Sequence, residues 1–492
     1  MHGSAPTDPA RWLSEIAQRH PDRLLLKTPD GQRLTYGAMN ELVDRVAAAL
    51  AERGVVAGDR VVAQVEKSPE AVALYLAALR VGAVFVPLNT AYTTAEIDYF
   101  LGDADPKVAV GVAKGGLALA GLADCRSGFS PTPASPADLA ALLYTSGTTG
   151  RSKGAMLTRA NLATNAIALA QAWRFTERDV LLHALPIFHV HGLFVAINTV
   201  LASGSSMLFL PKFDADEVVR SLPQATVMMG VPTFYTRLLQ HPAFTREATA
   251  KVRLFISGSA PLLADTHREF RARTGHAILE RYGMSETLMN TSNPYDGERV
   301  AGSVGPPLPG VEVRITHPET GAPLPEVDAV GMIEVRGPNV FRGYWRMPEK
   351  TAAEFRKDGF FITGDVGRID ERGYVFIVGR AKDLIISGGY NVYPVEVETE
   401  LDALAGVAES AVIGVPHPDF GEGVTAVVVP RPGAALDENS LRTALEQRLA
   451  RYKLPKRIVF VSEMPRNAMG KVQKAALRQT YGGLYNSASP GH

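Results

Sequence analysis

Leu139-Ala-Ala-Leu-Leu-Tyr144-Thr145-Ser146-Gly147-Thr148-Thr149-Gly150-Arg151-Ser152-Lys153-Gly154 is the stretch that decides how this chain reads. The apolar run 139–145 predicts a strand, and glycine and hydroxyl-bearing residues follow it at once. Glycines let backbone N–H groups approach an anion closely, while the hydroxyls and Lys153 add donors and positive charge. Such a loop suits a polyphosphate. It lacks the GxxxxGK[ST] spacing of a Walker loop, so it is a different phosphate-binding device. A solvated Gly/Ser/Thr surface loop is the alternative reading, and the rest of the chain decides between the two.

Outward from this loop, short apolar runs alternate with helix-like segments. RVVAQVE (60–66), AVFVP (83–87), SMLFLP (206–211), ATVMMGVP (225–232) and VRLFISG (252–258) read as strands. PEAVALYLAALR (69–80) has helical spacing with Pro69 at its start, where a missing N–H costs little. This alternation predicts mostly parallel sheets covered by helices. From about Gly310 the runs VEVRI, MIEVRG and GYVFIVG, split by Gly and Pro, predict a small antiparallel or β-barrel-like subdomain. After Gly379-Arg380 the order becomes helix (395–404), strand (407–415), strand (423–430), helix (437–450), strand (457–461), helix (472–481). The expectation is an α/β protein. A large N-terminal domain, 1–379, holds two helix-flanked mostly parallel sheets and the barrel-like subdomain. A small α+β C-terminal domain, 380–492, follows.

Composition narrows the class. Lys plus Arg is 51 and Asp plus Glu is 51, so no overall basic footprint points to nucleic acid or to a membrane surface. The single cysteine, Cys125, excludes an internal disulfide and a cysteine zinc cluster. Arg80 interrupts the apolar stretch 71–88, and His189, His191 and Asn198 interrupt 184–211, so neither offers a membrane span. The start shows no charged segment followed by an apolar run. The expectation is a cytoplasmic enzyme, a monomer or weak homo-oligomer, with no nucleic-acid or membrane partner.

TSGTTGRSKG (145–154), SGSAPL (257–262), ERYGMSET (280–287), ITGD (362–365), GRAKDLIISGGYNVYP (379–394) and PRNAMGK (465–471) occur in this order. Together they resemble, over about residues 10–485, the adenylate-forming superfamily of acyl-CoA synthetases, peptide-synthetase adenylation domains and luciferases. The resemblance implies ATP, Mg²⁺ and CoA. It implies that Thr145, Ser146, Gly147, Thr148, Thr149, Gly150 and Lys153 hold the β- and γ-phosphates. Ser257, Gly258, Ser259 and Ala260 would form the adenine-side loop. Glu280, Arg281, Tyr282, Gly283, Met284 and Ser285 would also meet the nucleotide, Tyr282 stacking on adenine. Asp365 would accept from the ribose hydroxyls, and Arg380 would touch ribose or phosphate. Glu286, with Thr145, would hold Mg²⁺. Lys471 would reach the α-phosphate and the substrate carboxylate, completing a catalytic set with Glu286 and Lys153. The resemblance further implies that the small domain is mobile, pivots near Lys382, and brings Ser387, Gly388 and Gly389 in to line the path of the CoA thiol arm.

The acid is the specific question. LHALPIFHVHGLF (182–194) sets His189 and His191 in apolar surroundings, VPTFYTRLL (231–239) carries Arg237, and Arg281 sits beside Tyr282. An arginine aimed into such a pocket needs a counter-ion, because a buried unpaired charge costs several kcal/mol. A second carboxylate on the substrate would supply it, and arginine suits bidentate carboxylate recognition. This reading assigns Arg237, Arg281, His189 and Ser259 to the substrate. The alternatives stand beside it: Arg237 on a helix surface, Arg281 paired with an acid near Glu280, and the histidines as satisfied core residues. Strings such as HALPIFHVHGLF and GVPTFYTRLL resemble the malonate-activating branch of the superfamily, which implies malonate, with methylmalonate as a second substrate. Competing readings are a synthetase for acetate, propionate or an aryl acid, an enzyme loading a carrier protein, and a catalytically inert nucleotide-binding protein. The last would have no need of Lys471.

Overall fold

The computed structural model describes residues 8–112, 115–125, 129–145, 152–467 and 470–485. Residues 146–151 of the phosphate-type loop, and with them the expected contacts of Ser146, Gly147, Thr148, Thr149 and Gly150, lie outside the described residues.

The run 139–145 is a strand, Leu139–Thr145, which pairs antiparallel with Lys153–Thr158 so that Thr145 lies opposite Lys153. Thr158 then starts the helix Arg159–Ala172. Its hydroxyl accepts from the Asn161 amide at 3.1 Å and the Asn161 side chain accepts from the Thr158 amide at 2.8 Å. This reciprocal box satisfies two amides that a helix start otherwise leaves without partners.

Arg60–Ala63, Val84–Pro87 and Val108–Val110 join Leu139–Thr145 as parallel neighbours in a five-stranded sheet. A second, eight-stranded sheet holds Leu24–Lys27, Val180–His183, Ser206–Phe209, Val227–Gly230, Leu254–Ser257 and Leu279–Met284. It is parallel except at its two outermost pairings. The helix Pro69–Arg80 is buried at every residue but Glu70, as an all-round apolar helix between layers must be. Its start is capped by the Ser68 hydroxyl, which accepts from the Ala71 amide at 3.2 Å. Arg80, the charge that interrupts this apolar stretch, is itself buried. It is satisfied by Asp44 at 2.5 Å, Ser14 Oγ at 2.7 Å and Asn40 Oδ1 at 2.9 Å.

Glu312–Thr316, Gly331–Arg336, Phe361–Ile369 and Val375–Arg380 form a four-stranded antiparallel sheet in chain order. The C-terminal part is built on the antiparallel pair Val407–His417 and Gly421–Pro430, with Arg457–Phe460 parallel to the second strand. Alternate residues of the pair face two separate apolar clusters. Val412 and Val424 pack with Leu441 and Leu445 on one side, and Ile413 and Val427 with Met464 and Leu477 on the other. This part therefore carries cores of its own. The hairpin Ile385–Ser387 and Tyr390–Val392 is not among the predicted strands, because three residues a side are too few for periodicity to show. No helix among the described residues is long and apolar enough to cross a membrane.

Candidate active site

The carboxyl end of the strand Leu254–Ser257 and its parallel neighbour Leu279–Met284 bring the first pieces together. Ser257 pairs with Glu280, so the turn Ser257–Ala260 lies beside the segment that carries Arg281, Tyr282, Gly283 and Met284. Ligand sites in open α/β sheets form at such strand ends. The third sheet supplies Asp365 and Arg380, which face each other across adjacent strands.

On the nucleotide side the charged groups are paired. The Tyr282 hydroxyl donates to Asp365 Oδ2 at 2.5 Å, and Arg380 Nε lies 3.2 Å from Asp365 Oδ1. Asp365 is buried, and its amide donates to Thr363 Oγ1 at 3.1 Å. Each carboxylate oxygen keeps a second lone pair for a sugar hydroxyl.

The phosphate side is a connected network. The Thr145 hydroxyl donates to Glu286 Oε1 at 3.3 Å, and the Tyr344 hydroxyl lies 3.2 Å from that oxygen and 2.7 Å from Glu354 Oε2. Lys153 is buried, 3.3 Å from Glu354 Oε1 and 4.6 Å from the centre of the Tyr344 ring. Burial raises the pKa of Glu286. A carboxylate beside a hydroxyl offers the hard oxygen ligands that Mg²⁺ prefers, so Glu286 and Thr145 fit that ion. No group of three or more His, Cys, Asp or Glu side chains placed to hold a metal ion exists among the described residues. Mg²⁺ does not need one, because phosphate and water oxygens complete its shell. Sequence reasoning missed Tyr344 and Glu354. Their one visible signal was the Lys350–Glu354 spacing, an i,i+4 pair at 2.7 Å that reads as an ordinary surface ion pair.

The acid side differs in kind. Arg281 is 3% exposed, yet its Nε and Nη2 have no hydrogen-bond partner among the described residues. Burial pulls its pKa down to about 9, and a guanidinium still stays charged at neutral pH. It packs flat against Gly258, where an added Cβ would fall 2.4 Å from the guanidinium carbon, so only glycine admits it. Beside it His191 Nδ1 lies 3.3 Å from Ser259 Oγ, while His191 Nε2 and Ser257 Oγ are buried without partners. Burial, then the charges of Lys471 and Arg281, hold His189 down to about 3, which keeps it neutral. Its Nδ1 accepts from the His191 amide at 3.2 Å.

Glu280 is not the partner of Arg281. Burial pushes its pKa up to about 8, and it accepts hydrogen bonds from the backbone amides of Gly302 and Leu262 instead. Gly283 lies so close to the returning strand that a Cβ would sit 1.8 Å from Leu288 O. This close approach sets the turn that holds Ser285 and Glu286.

Lys471 lies between the two sides. The charges that act on it are those of Arg380, Asp365 and Glu286 from the nucleotide and phosphate side and of Arg281 from the acid side; burial, then Arg380, lowers its pKa to about 8. The backbone places it: the Lys471 amide donates to Asn467 Oδ1 at 3.0 Å and Arg466 Nη1 donates to Gly470 O at 2.6 Å. Gly470 lies against Thr233, whose hydroxyl would be 3.1 Å from a Cβ there.

Arg237 is not brought into the buried cluster. It is exposed, one turn beyond Thr233 on the helix Pro232–Gln240, and makes no ion pair among the described residues. Residues four apart share a helix face, so Arg237 stands at the outer rim, on the side that Thr233 presents to the lysine loop. Lys382 lies exposed in the turn Ala381–Asp383, with desolvation and then Arg380 lowering its pKa. Ser387, Gly388 and Gly389 make the hairpin turn. Gly388 and Gly389 have φ of +58° and +82°, the left-handed pair a two-residue turn requires.

The profile of the AMP-binding enzyme family matches residues 13–345, and that of the AMP-binding enzyme C-terminal domain matches 396–471. The malonate–CoA ligase of Arabidopsis thaliana is 35% identical over 93% of this chain and 86% of its own. A feruloyl-CoA synthase of Amycolatopsis is 37% identical over 92% and 95%. The crystal structure of ATP-bound MatB from Rhodopseudomonas palustris is 57% identical, with a TM-score of 0.93 over 97% of this chain and 99% of that one. Matched by the family profile over most of its length and aligned with these relatives nearly end to end, the chain belongs to the AMP-binding enzyme family.

Proposed function

We propose that this protein is an ATP-dependent malonyl-CoA synthetase, an AMP-forming acid–thiol ligase. Malonate and ATP give malonyl-AMP and pyrophosphate; the CoA thiol then displaces AMP to give malonyl-CoA. The observation that carries the choice of acid is Arg281, a buried cation with two nitrogens unpartnered among the described residues, next to the lysine that would meet the reacting carboxylate. A ligand with one carboxylate would leave that cation bare. A dicarboxylate answers both positive groups at once. Family membership alone would not choose, since a feruloyl-CoA synthase is as similar as a malonate–CoA ligase; the arginine makes the choice.

In the first step the residues position and neutralise. Lys471 holds the carboxylate oxygen against the α-phosphate, and Lys153 balances the departing pyrophosphate. Tyr282, Asp365 and Arg380 hold the nucleoside. Mg²⁺, when bound by Glu286 and Thr145, supplies charge to the phosphate oxygens. His189 and His191 are neutral, so they orient the substrate by hydrogen bonds. For the second step, the part beyond residue 379 pivots near Lys382, Lys471 withdraws, and the Ser387–Gly389 turn admits the thiol arm. Methylmalonate is a second substrate on this reading. A cytoplasmic monomer or weak homo-oligomer goes with it.

The test is pyrophosphate release with ATP, Mg²⁺ and CoA across malonate, methylmalonate, succinate, acetate, propionate and benzoate. Malonate is expected to lead, followed by methylmalonate. A monocarboxylate in first place would leave the enzyme class standing and remove malonate.

A further inference from the structure

His183 ends the strand Val180–His183 and is fully buried, outside the cluster around Arg281. Its Nε2 lies 2.8 Å from Gly192 O. A carbonyl can only accept, so Nε2 carries the ring proton. Burial, then the charge of Lys67, holds the ring neutral, which leaves Nδ1 bare. That nitrogen is met by Lys67 Nζ at 2.9 Å. The same amine donates to the His183 carbonyl at 2.8 Å and lies 4.4 Å from the centre of the Phe209 ring. No carboxylate pairs with Lys67 among the described residues. A half-buried lysine without an acid is costly unless its donors are used, and here two of them go to one histidine.

What this arrangement holds is the segment that carries the pocket histidines. Lys67 follows the strand Arg60–Ala63 of the five-stranded sheet, and His183 belongs to the eight-stranded sheet, so the contact bridges the two. From His183 the next bond runs to Gly192, in the π-helical turn His191–Ile197. Such turns are rare and recur at functional sites. Gly192 is pressed against the chain before it: a Cβ there would fall 2.0 Å from Pro186 O. The loop between, 185–191, contains His189, and the turn opens with His191, which meets Ser259.

We infer that Lys67 is a positioning residue for the acid pocket. It fixes the ring of His183, which grips the Gly192 carbonyl and thereby sets His189 and His191 toward Ser259 and Arg281. The inference rests on the reading that this pocket receives the acid. It assigns Lys67 no contact with substrate or nucleotide.

The experiment compares Lys67→Met, Lys67→Gln and Lys67→Arg with the wild type, measuring KM and kcat for malonate and KM for ATP. In Lys67→Met the malonate KM is expected to rise by about tenfold or more, the scale of a lost orienting partner, with ATP KM within about twofold. Lys67→Arg, which keeps the donors, should recover most of the loss. Histidine ¹⁵N spectra should show His183 as the Nε2–H form in the wild type, and Lys67→Met should shift the resonance of its Nδ1, the nitrogen that the amine meets. An unchanged malonate KM in Lys67→Met, or parallel changes for ATP and malonate, would overturn the inference. So would failure of both Lys67→Met and Lys67→Gln to fold, which would make Lys67 structural. If the wild type prefers a monocarboxylate, the malonate reading fails, and the same comparison with that acid still judges Lys67.

Discussion

The nucleotide side and the acid side lie next to each other and are built on opposite terms. Around Asp365 and Glu286 each charged group meets another protein group: Tyr282 and Arg380 on Asp365, Thr145 and Tyr344 on Glu286, Glu354 on Lys153. Around Arg281 two of the guanidinium nitrogens, Nε and Nη2, meet no hydrogen-bond partner among the described residues. A paired site is stable without its ligand and exchanges partners when ATP arrives. An unpaired cation costs stability and recovers it only from a ligand of opposite charge, so it discriminates. On the proposed reading, substrate choice lives where the folded protein is least satisfied.

Lys471 stands on the boundary, and removing it should have the largest effect. Lys471→Ala is expected to lower malonyl-AMP formation by about a thousandfold or more, the scale of a lost group that stabilises the transition state, while CoA thioester formation from supplied malonyl-AMP persists. Equal loss in both half-reactions would erase the boundary role. Tyr344→Phe sharpens the paired side. It removes the hydroxyl between Glu286 and Glu354 and should raise the Mg²⁺ needed for half-maximal rate about tenfold, leaving malonate KM alone. A change confined to malonate would misplace Tyr344.

The pH profile follows from Lys471. Its pKa in the ligand-free protein is lowered to about 8 and its charge is needed, so activity is lost as pH rises through that value. The kcat/KM for ATP in the adenylation half-reaction should drop about fourfold from pH 7 to pH 8.5. A flat profile to pH 9.5 would contradict this. Arg237→Leu is the gentlest probe, because the residue is exposed at the rim. About a threefold rise in malonate KM, with ATP unaffected, is the effect expected of an exposed charge; a loss as large as that from altering Arg281 would extend the clamp outward.

The comparison also explains what could be read from the chain. Strand ends, the Pro69 helix start and the motif order were legible because glycines, caps and periodicity act locally. The helix Pro69–Arg80 and the strand Leu139–Thr145 fall on the residues predicted for them. Arg281 and Arg237 looked alike as letters. Only packing separates them, since one lies against Gly258 and the other on a helix rim. Tyr344, Lys67 and His183 were invisible for the same reason, and Glu354 showed only as a surface ion pair. Each acts through a partner distant in sequence, as Lys67 and His183 do across 116 positions, and no spacing rule reaches that far.

The central claim is that Arg281 reads the second carboxylate. The direct measurement is the ratio of kcat/KM for malonate to that for propionate, in the wild type and in Arg281→Met. The wild-type ratio should be on the order of 10⁴, as for sites whose buried polar groups go unpaired with the wrong ligand, and should fall by about a hundredfold or more in the variant, with ATP KM little changed. A ratio that survives the substitution would mean that another group recognises the acid and that the bare guanidinium is structural.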